Sequence, residues 1–404
     1  MRTIFAAATL AFAMAAGAAA PDYGADFDHL WRTLGAEYAY FESRDVDWEA
    51  VRATHRPRAA EAKSRDAFIG ALEATLETLT DFHLHLRTNT PASTRLVPSG
   101  SDLWAEWRGT HAIVTQVRSG HAAEVAGVRA GDEVLSLNGV AIAERVQRRL
   151  PCCRKDPERV RQWALLAELA GTHDADRVLS IRGGDGTLRE VRLARSFRPR
   201  AESLVSWRRL PDGLGYIRVT AVGDTDAVPA FDAALEALKD TRGLILDLSE
   251  TAAGGSTDVA EPILGRFFSK PAVYQKGKPR KGAEWRAEVA PRGPWTYEGP
   301  LVVLVGRWTA SMGEGMAIGL DGTRRGVIVG TAMGRLEGAV FTDKLSSTGI
   351  GFNYPAERLF HVDGTPRERF VPAGPVDYER IPRERQASAL LDAGVVRLRA
   401  LLNR

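Results

Sequence analysis

A serine hydroxyl attacks a carbonyl when a nearby base takes its proton and N–H donors meet the oxyanion that forms. In this sequence the candidate hydroxyl is Ser311, in Thr309-Ala310-Ser311-Met312-Gly313. It follows the apolar run Leu301 to Val305, closed by Gly306, which reads as a buried strand. Met312 to Leu320 then has helical composition. Strand, small-residue turn and helix put Ser311 at a helix start, beside unpaired N–H groups and the positive end of the dipole. On this stretch alone the ordinary reading is a cap, with Thr309 or Ser311 closing the helix. Candidate bases are His83 and His85, in Leu79-Thr-Asp81-Phe82-His83-Leu84-His85-Leu86. The period there is two, with Phe82, Leu84 and Leu86 on one strand face and both histidines on the other. No third metal ligand stands nearby, so general-base chemistry is the sharper reading of the pair.

The elements that would position these groups fall into several units. Residues 21–95 read as a small helical bundle: Phe27, Leu30, Leu34 and Tyr38 recur at helical spacing, Asp47 caps a second helix, and Phe68, Ile69, Leu72 and Leu76 mark a third. From about residue 100 to 197 short strands, Gly127, Gly131 and the turn signal Asn138-Gly139 mark a separate unit. Trp163, Leu165, Leu166 and Leu169 give it a helix. From 205 to 385 the rhythm is βαβ: strands at Tyr216–Val219, Gly243–Leu248, Leu301–Val305 and Val327–Gly330, helices at Ala227–Lys239 and Thr257–Phe268. The polar stretch Lys270 to Pro294, rich in Lys, Arg, Gly and Pro, reads as a surface excursion. Residues 386–404 close the chain as a helix.

The totals exclude some roles. With 404 residues, 54 basic against 51 acidic and a net charge of +3, the chain has no charge block of the kind that binds nucleic acid. Met1-Arg2-Thr3, an apolar Ile4–Ala16 and small residues to Ala20 are the pattern of a secretory signal peptide over residues 1–20. No later stretch is apolar enough to span a membrane, so the expectation is a periplasmic or secreted protein without stable membrane insertion. The only cysteines, Cys152 and Cys153, are adjacent and read as a structural pair beside a turn; a vicinal or intermolecular disulfide is the other reading.

Two resemblances follow from these segments. The run "AAEVAGV", "GDEVLSLNG" resembles a PDZ domain, a fold that holds peptide tails by adding them to a sheet edge. The helical lead-in ending "LTDFHLHL", that unit, "GLILDLSETAAGG" and "PLVVLVGRWTASMGEG", in this order, resemble the S41 serine peptidases, the tail-specific or C-terminal-processing proteases and their tricorn-like relatives. The resemblance implies an α/β fold: a crotonase/ClpP-like βαβ protease core with an N-terminal helical bundle and an inserted PDZ domain. It implies an enzyme that cuts protein or peptide substrates, holding a C-terminal tail on the PDZ unit, with no cofactor and no metal.

Tail-specific members pair the serine with a lysine after the "VG" strand. Here Arg335 stands in that place, and arginine cannot act as a neutral base; Lys344 fits the pattern poorly. The tricorn-like branch takes a histidine before the PDZ unit, which Asp81-Phe82-His83 matches, with His85 as the spare. The resemblance then makes Ser311 the nucleophile, His83 the general base and Glu368 the group that orients it, with Glu337 as the alternative. Met312 N–H with Gly254 or Gly255 would form the oxyanion hole. The glycine loop is a residue longer than the family pattern and lacks its Arg and Asn. A peptide-binding, inactive pseudo-peptidase is therefore the alternative function. An acyl-CoA enzyme on the same core is a third reading, which the export signal opposes.

Overall fold

The computed structural model describes residues 20–154 and 156–403. The expected signal peptide, apart from Ala20, lies outside the described residues. At the centre is a six-stranded sheet in the order Gly374–Pro375, Val327–Gly330, Leu301–Val305, Gly243–Asp247, Leu214–Val219, Val205–Leu210. All its pairs are parallel except the last, Leu214–Val219 with Val205–Leu210. Parallel strands covered on both faces need unbroken apolar runs, and Leu301–Val305 is such a run. Leu244, Leu246, Val303 and Val305 face the helices Ala227–Ala237, Thr257–Leu264 and Met312–Gly322. Their neighbours Ile245, Val302 and Leu304 face the closing helix Ala389–Leu402 through Leu398. One strand thus feeds two cores by its period of two.

A second sheet runs His85–Leu86, Gly351–Phe360, Ala272–Pro279, Trp285–Val289, with Ala339–Lys344 also paired to Gly351–Phe360. Residues 272–289 are therefore a hairpin of this sheet, not a surface excursion. Its hydrophilic composition hides buried Tyr274 and Gln275, and a glycine that is a packing site: a Cβ on Gly277 would sit 2.1 Å from the Trp285 ring. The helices Tyr23–Glu37, Trp48–Ala60 and Arg65–Glu77 start at side-chain caps from Asp22, Asp47 and Ser64. Their shared core does not stand alone. It continues into Phe352 and Tyr354 of the second sheet and into Leu345 and Ile350 of the turn between two of its strands.

Residues 103–193 form an antiparallel unit in the order Leu103–Arg108, His111–Val117, Glu133–Leu137, Arg177–Arg182, Leu188–Leu193, with Val140–Ala141 beside Glu133–Leu137. Asn138 and Gly139 take φ of 51° and 75°, as the sequence turn signal requires. Helix Pro157–Ala170 packs into this unit through Trp163, Ala164 and Leu165. Arg118 ties the unit to the core by a bond to Glu250 at 2.7 Å. Cys152 and Cys153 are free thiols in the turn before that helix.

Candidate active site

The strand Leu301–Val305 delivers the chain to a tight turn. The Gly306 N–H donates to Thr309 Oγ1 at 3.0 Å, and Thr309 Oγ1 donates to the Leu248 carbonyl at 2.8 Å. Ser311 then adopts φ 51°, ψ −111°, a region that residues with a Cβ enter only when their surroundings hold them there. Its side chain is half-buried. The turn after Leu248 forms the seat. Ala310 N–H donates to the Thr251 carbonyl at 3.3 Å, and a Cβ on Gly313 would sit 2.1 Å from Thr251 Oγ1. Gly254, at φ +71°, lies against the serine: a Cβ there would stand 2.8 Å from Ser311 Cβ and 3.3 Å from Oγ. Gly255 sits behind, bridged to Val222, whose carbonyl oxygen would be 2.1 Å from an added Cβ. Met312 opens the helix, so its N–H is one of the unpaired donors at that end. Ser311, Met312 and Gly254 are brought together. Gly255 holds the turn in place.

The carboxylate of Glu314 fixes this arrangement, and sequence reasoning missed it. Oε2 accepts the Ser311 N–H at 2.8 Å and the Leu336 N–H at 3.2 Å; Oε1 accepts the Arg335 N–H at 2.9 Å. Burial pushes this carboxyl up to about 7, against the pull of Arg367 and the three N–H donors. The spacing Ser-x-x-Glu at a helix start was the available signal.

His83 is held by the same stretch. Its Nδ1 lies 2.8 Å from the main-chain carbonyl of Glu337, so Nδ1 carries the proton and Nε2 keeps the lone pair. Its own N–H donates to Asp81 Oδ1 at 2.9 Å. Burial first, then the charge of Arg367, pushes the imidazole down to about 3, so it is neutral. The expected alternating strand over 82–86 is not there. Phe82 and His83 form a turn, the strand is only His85–Leu86, and His83 and Leu84 are both buried. The Asp81 side chain folds back on the chain and starts that turn. His85 is placed differently, with Nδ1 3.0 Å from the Leu86 carbonyl and Nε2 3.4 Å from Asn353 Nδ2.

Glu368 does not meet His83. Its Oε2 accepts the Tyr40 hydroxyl at 3.4 Å, and burial, then the Glu337 charge, raises its carboxyl. What occupies the histidine's Nδ1 is the Glu337 carbonyl, a main-chain atom that no motif records. The Glu337 side chain points elsewhere, to Arg44 and, at 2.7 Å, to Arg159. Arg44 also meets Tyr38 and Asp81, and Tyr38 donates to Asp81 at 2.7 Å, a buried network behind the histidine turn. Lys344 is exposed on the strand Ala339–Lys344. Ser311 Oγ and His83 Nε2 are not hydrogen-bonded in this resting geometry. A cleft of about 500 Å³ opens beside this loop, lined by Trp104, Trp107, Trp163, Arg307, Arg335 and Glu337. Among the described residues no group of three His, Cys, Asp or Glu is placed to hold a metal ion, and no helix is long and apolar enough to cross a membrane.

Comparisons with known proteins bear on the fold. Residues 213–371 match the model for peptidase family S41, and residues 20–74 match that for the Tricorn protease C1 domain. A relative from Arabidopsis thaliana, carboxyl-terminal-processing peptidase 3, chloroplastic, is 28% identical over 290 residues, 66% of this chain and 52% of the relative. The chain thus spans about half the length of that relative. Among solved structures, the photosystem II D1 C-terminal processing protease aligns with a TM-score of 0.59 at 21% identity, covering 94% of this chain and 97% of that one. Mature CPAF aligns with a TM-score of 0.64 at 15% identity, covering 94% and 96%. These two show the fold. Residues 213–371, which include the strand and helix that carry Ser311, are thus similar to peptidase family S41.

Proposed function

We propose that this chain is an exported serine peptidase that cuts exposed tails of proteins or peptides. The observation that carries the reading is the Glu314 carboxylate, which ties the backbone of Ser311 to the loop whose next residue, Glu337, holds His83. In the reaction, Ser311 Oγ attacks the scissile carbonyl while His83 Nε2 takes its proton. The tetrahedral oxyanion meets the Met312 N–H and the backbone at Gly254, where the missing Cβ leaves room for it. His83 then passes the proton to the leaving amine, and water repeats the cycle on the acyl-enzyme. The unit at residues 103–193 is PDZ-like in its order of strands and small-residue helix, and serves to hold the substrate tail at a sheet edge. Export rests on Met1 to Ala20.

One observation favours the second reading, a peptide-binding pseudo-peptidase. His83 Nδ1 meets a carbonyl rather than a carboxylate, which stabilises an imidazolium less. The test is fluorophosphonate labelling of the purified chain with peptide mapping, beside hydrolysis of a peptide mixture. Labelling at Ser311 that vanishes in Ser311→Ala supports the peptidase. Absence of both labelling and hydrolysis, with peptides still bound, moves the assignment to the pseudo-peptidase.

A further inference from the structure

Arg335 is an odd residue for its place. Its backbone φ is +58°, in the left-handed region, where glycine costs nothing and a side chain costs about 1 kcal/mol. Its N–H is committed to Glu314, two hydrogen bonds from the Ser311 backbone. The side chain is exposed and lines two adjoining clefts, the one described above and a second of about 550 Å³ that reaches Tyr40, Arg358, Glu368 and Arg369.

Three of the other cations of these clefts already have partners, and Arg369, like Arg335, has no ion pair among the described residues. Arg159 meets Glu337 at 2.7 Å, Arg307 meets Glu106, and Arg358 donates to the Ala39 carbonyl at 3.0 Å and lies over the Tyr40 ring. Among the described residues no carboxylate lies within ion-pair distance of Arg335. The second cleft sets Arg159, Arg335, Arg358 and Arg369 against two glutamates, and Glu337 is already shared by Arg44 and Arg159. The Arg335 charge also acts on Arg307, which burial and that charge hold down to about 10 despite Glu106. A guanidinium held beside like charges, without an acid of its own, attracts an anion from outside.

We propose that Arg335 is a specificity-determining residue that receives a substrate carboxylate beside the scissile bond. This rests on Ser311 marking the reacting centre, and the planar fork of the guanidinium suits a carboxylate. The Trp104, Trp107 and Trp163 wall of the first cleft would take the apolar side chain of a neighbouring residue.

The test uses binding, so it does not depend on turnover. Fluorescein-labelled peptides with Glu or isosteric Gln flanking a central Ala-Ala pair, each as C-terminal acid and amide, are titrated into the Ser311→Ala chain. The Glu peptides should bind about tenfold more tightly, a factor one charge-assisted pair can supply, and the gap should narrow in high salt. Arg335→Gln should abolish the gap, and Arg335→Glu should reverse it toward Lys peptides, which loss of structure alone would not do. A gap between acid and amide forms, with none between Glu and Gln, assigns the carboxylate to the chain end; a gap in Glu over Gln assigns it to a side chain. Equal affinity for every form, or a preference that survives in Arg335→Gln, overturns the proposal. Missing fluorophosphonate labelling beside an intact binding preference would instead sink only the catalytic reading.

Discussion

The imidazole Nδ1 of His83 faces the main-chain carbonyl of Glu337 at 2.8 Å, and the N–H one residue earlier, at Leu336, is bound by Glu314. The candidate base and the backbone of the candidate nucleophile are therefore fixed to one short loop. Neither contact depends on the side chain at 336 or 337. The Glu314 carboxylate is the one side chain common to both halves.

Glu314→Gln is the first variant to make. It exchanges one carboxylate oxygen for an NH2 that faces N–H donors, so at least one of the three bonds breaks. Hydrogen bonds to a charged group contribute about 1.5–3 kcal/mol each, so fluorophosphonate labelling of Ser311 should slow by on the order of tenfold to a hundredfold. Labelling at the unaltered rate would show that the loop holds without this carboxylate.

Gly254→Ala puts a methyl 2.8 Å from Ser311 Cβ at a φ of +71°. The clash falls on the reacting side, and the left-handed backbone adds about 1–2 kcal/mol. The expected result is a folded chain by circular dichroism with labelling lost. Normal labelling would remove Gly254 from the oxyanion site.

His83→Ala should abolish labelling while His85→Ala retains it, because His85 is bound to Leu86 and Asn353. The reverse outcome would reassign the base.

The pH dependence of stability carries its own sign. The His83 value is pushed down to about 3 in the fold, against about 6.5 in the unfolded chain. The unfolded chain binds the proton first. Its contribution is therefore complete above about pH 6.5 and drains away as the pH falls toward 3, at up to about 1.4 kcal/mol per pH unit. Denaturant titrations between pH 6.5 and 4 should show a shallower slope in His83→Gln than in the wild type. Equal slopes would mean that His83 is not buried as a neutral ring.

Arg44→Met removes the cation shared by Tyr38, Asp81 and Glu337. Breaking one side of a buried ion pair costs about 3–5 kcal/mol, so the melting temperature should fall by several degrees. An unchanged melting temperature would show that water or a rearranged acid compensates.

The sequence made the central sheet legible, because strands covered on both faces must be apolar throughout, as at Leu301–Val305 and Val327–Gly330. Ser311 and Gly254 could be singled out because a strand-turn-helix pattern and a glycine pair mark two tight turns, and these turns lie against each other. The hairpin at 272–289 was not legible, since Gly277 packs against the Trp285 ring across strands that also carry Lys276, Lys278, Arg286 and Glu288. The histidine turn was misread because alternating Phe82, Leu84 and Leu86 imitate a strand, while the Asp81 side chain decides the backbone. Glu337 was within reach as the alternative orienting residue, but through its carboxylate; its carbonyl does the holding, and every residue has one.

The strand His85–Leu86 pairs with Gly351–Phe360 near the far end of the chain, and the whole 103–193 unit lies between the histidine and the serine in sequence. Contacts this distant close late in folding, since the loop entropy is lost before they return anything. Ser311 and His83 are thus strangers in a growing or half-folded chain. On the function proposed above, a site assembled this way stays inert until the last long-range pairing forms, which would keep the unfinished protein from cutting itself or its neighbours.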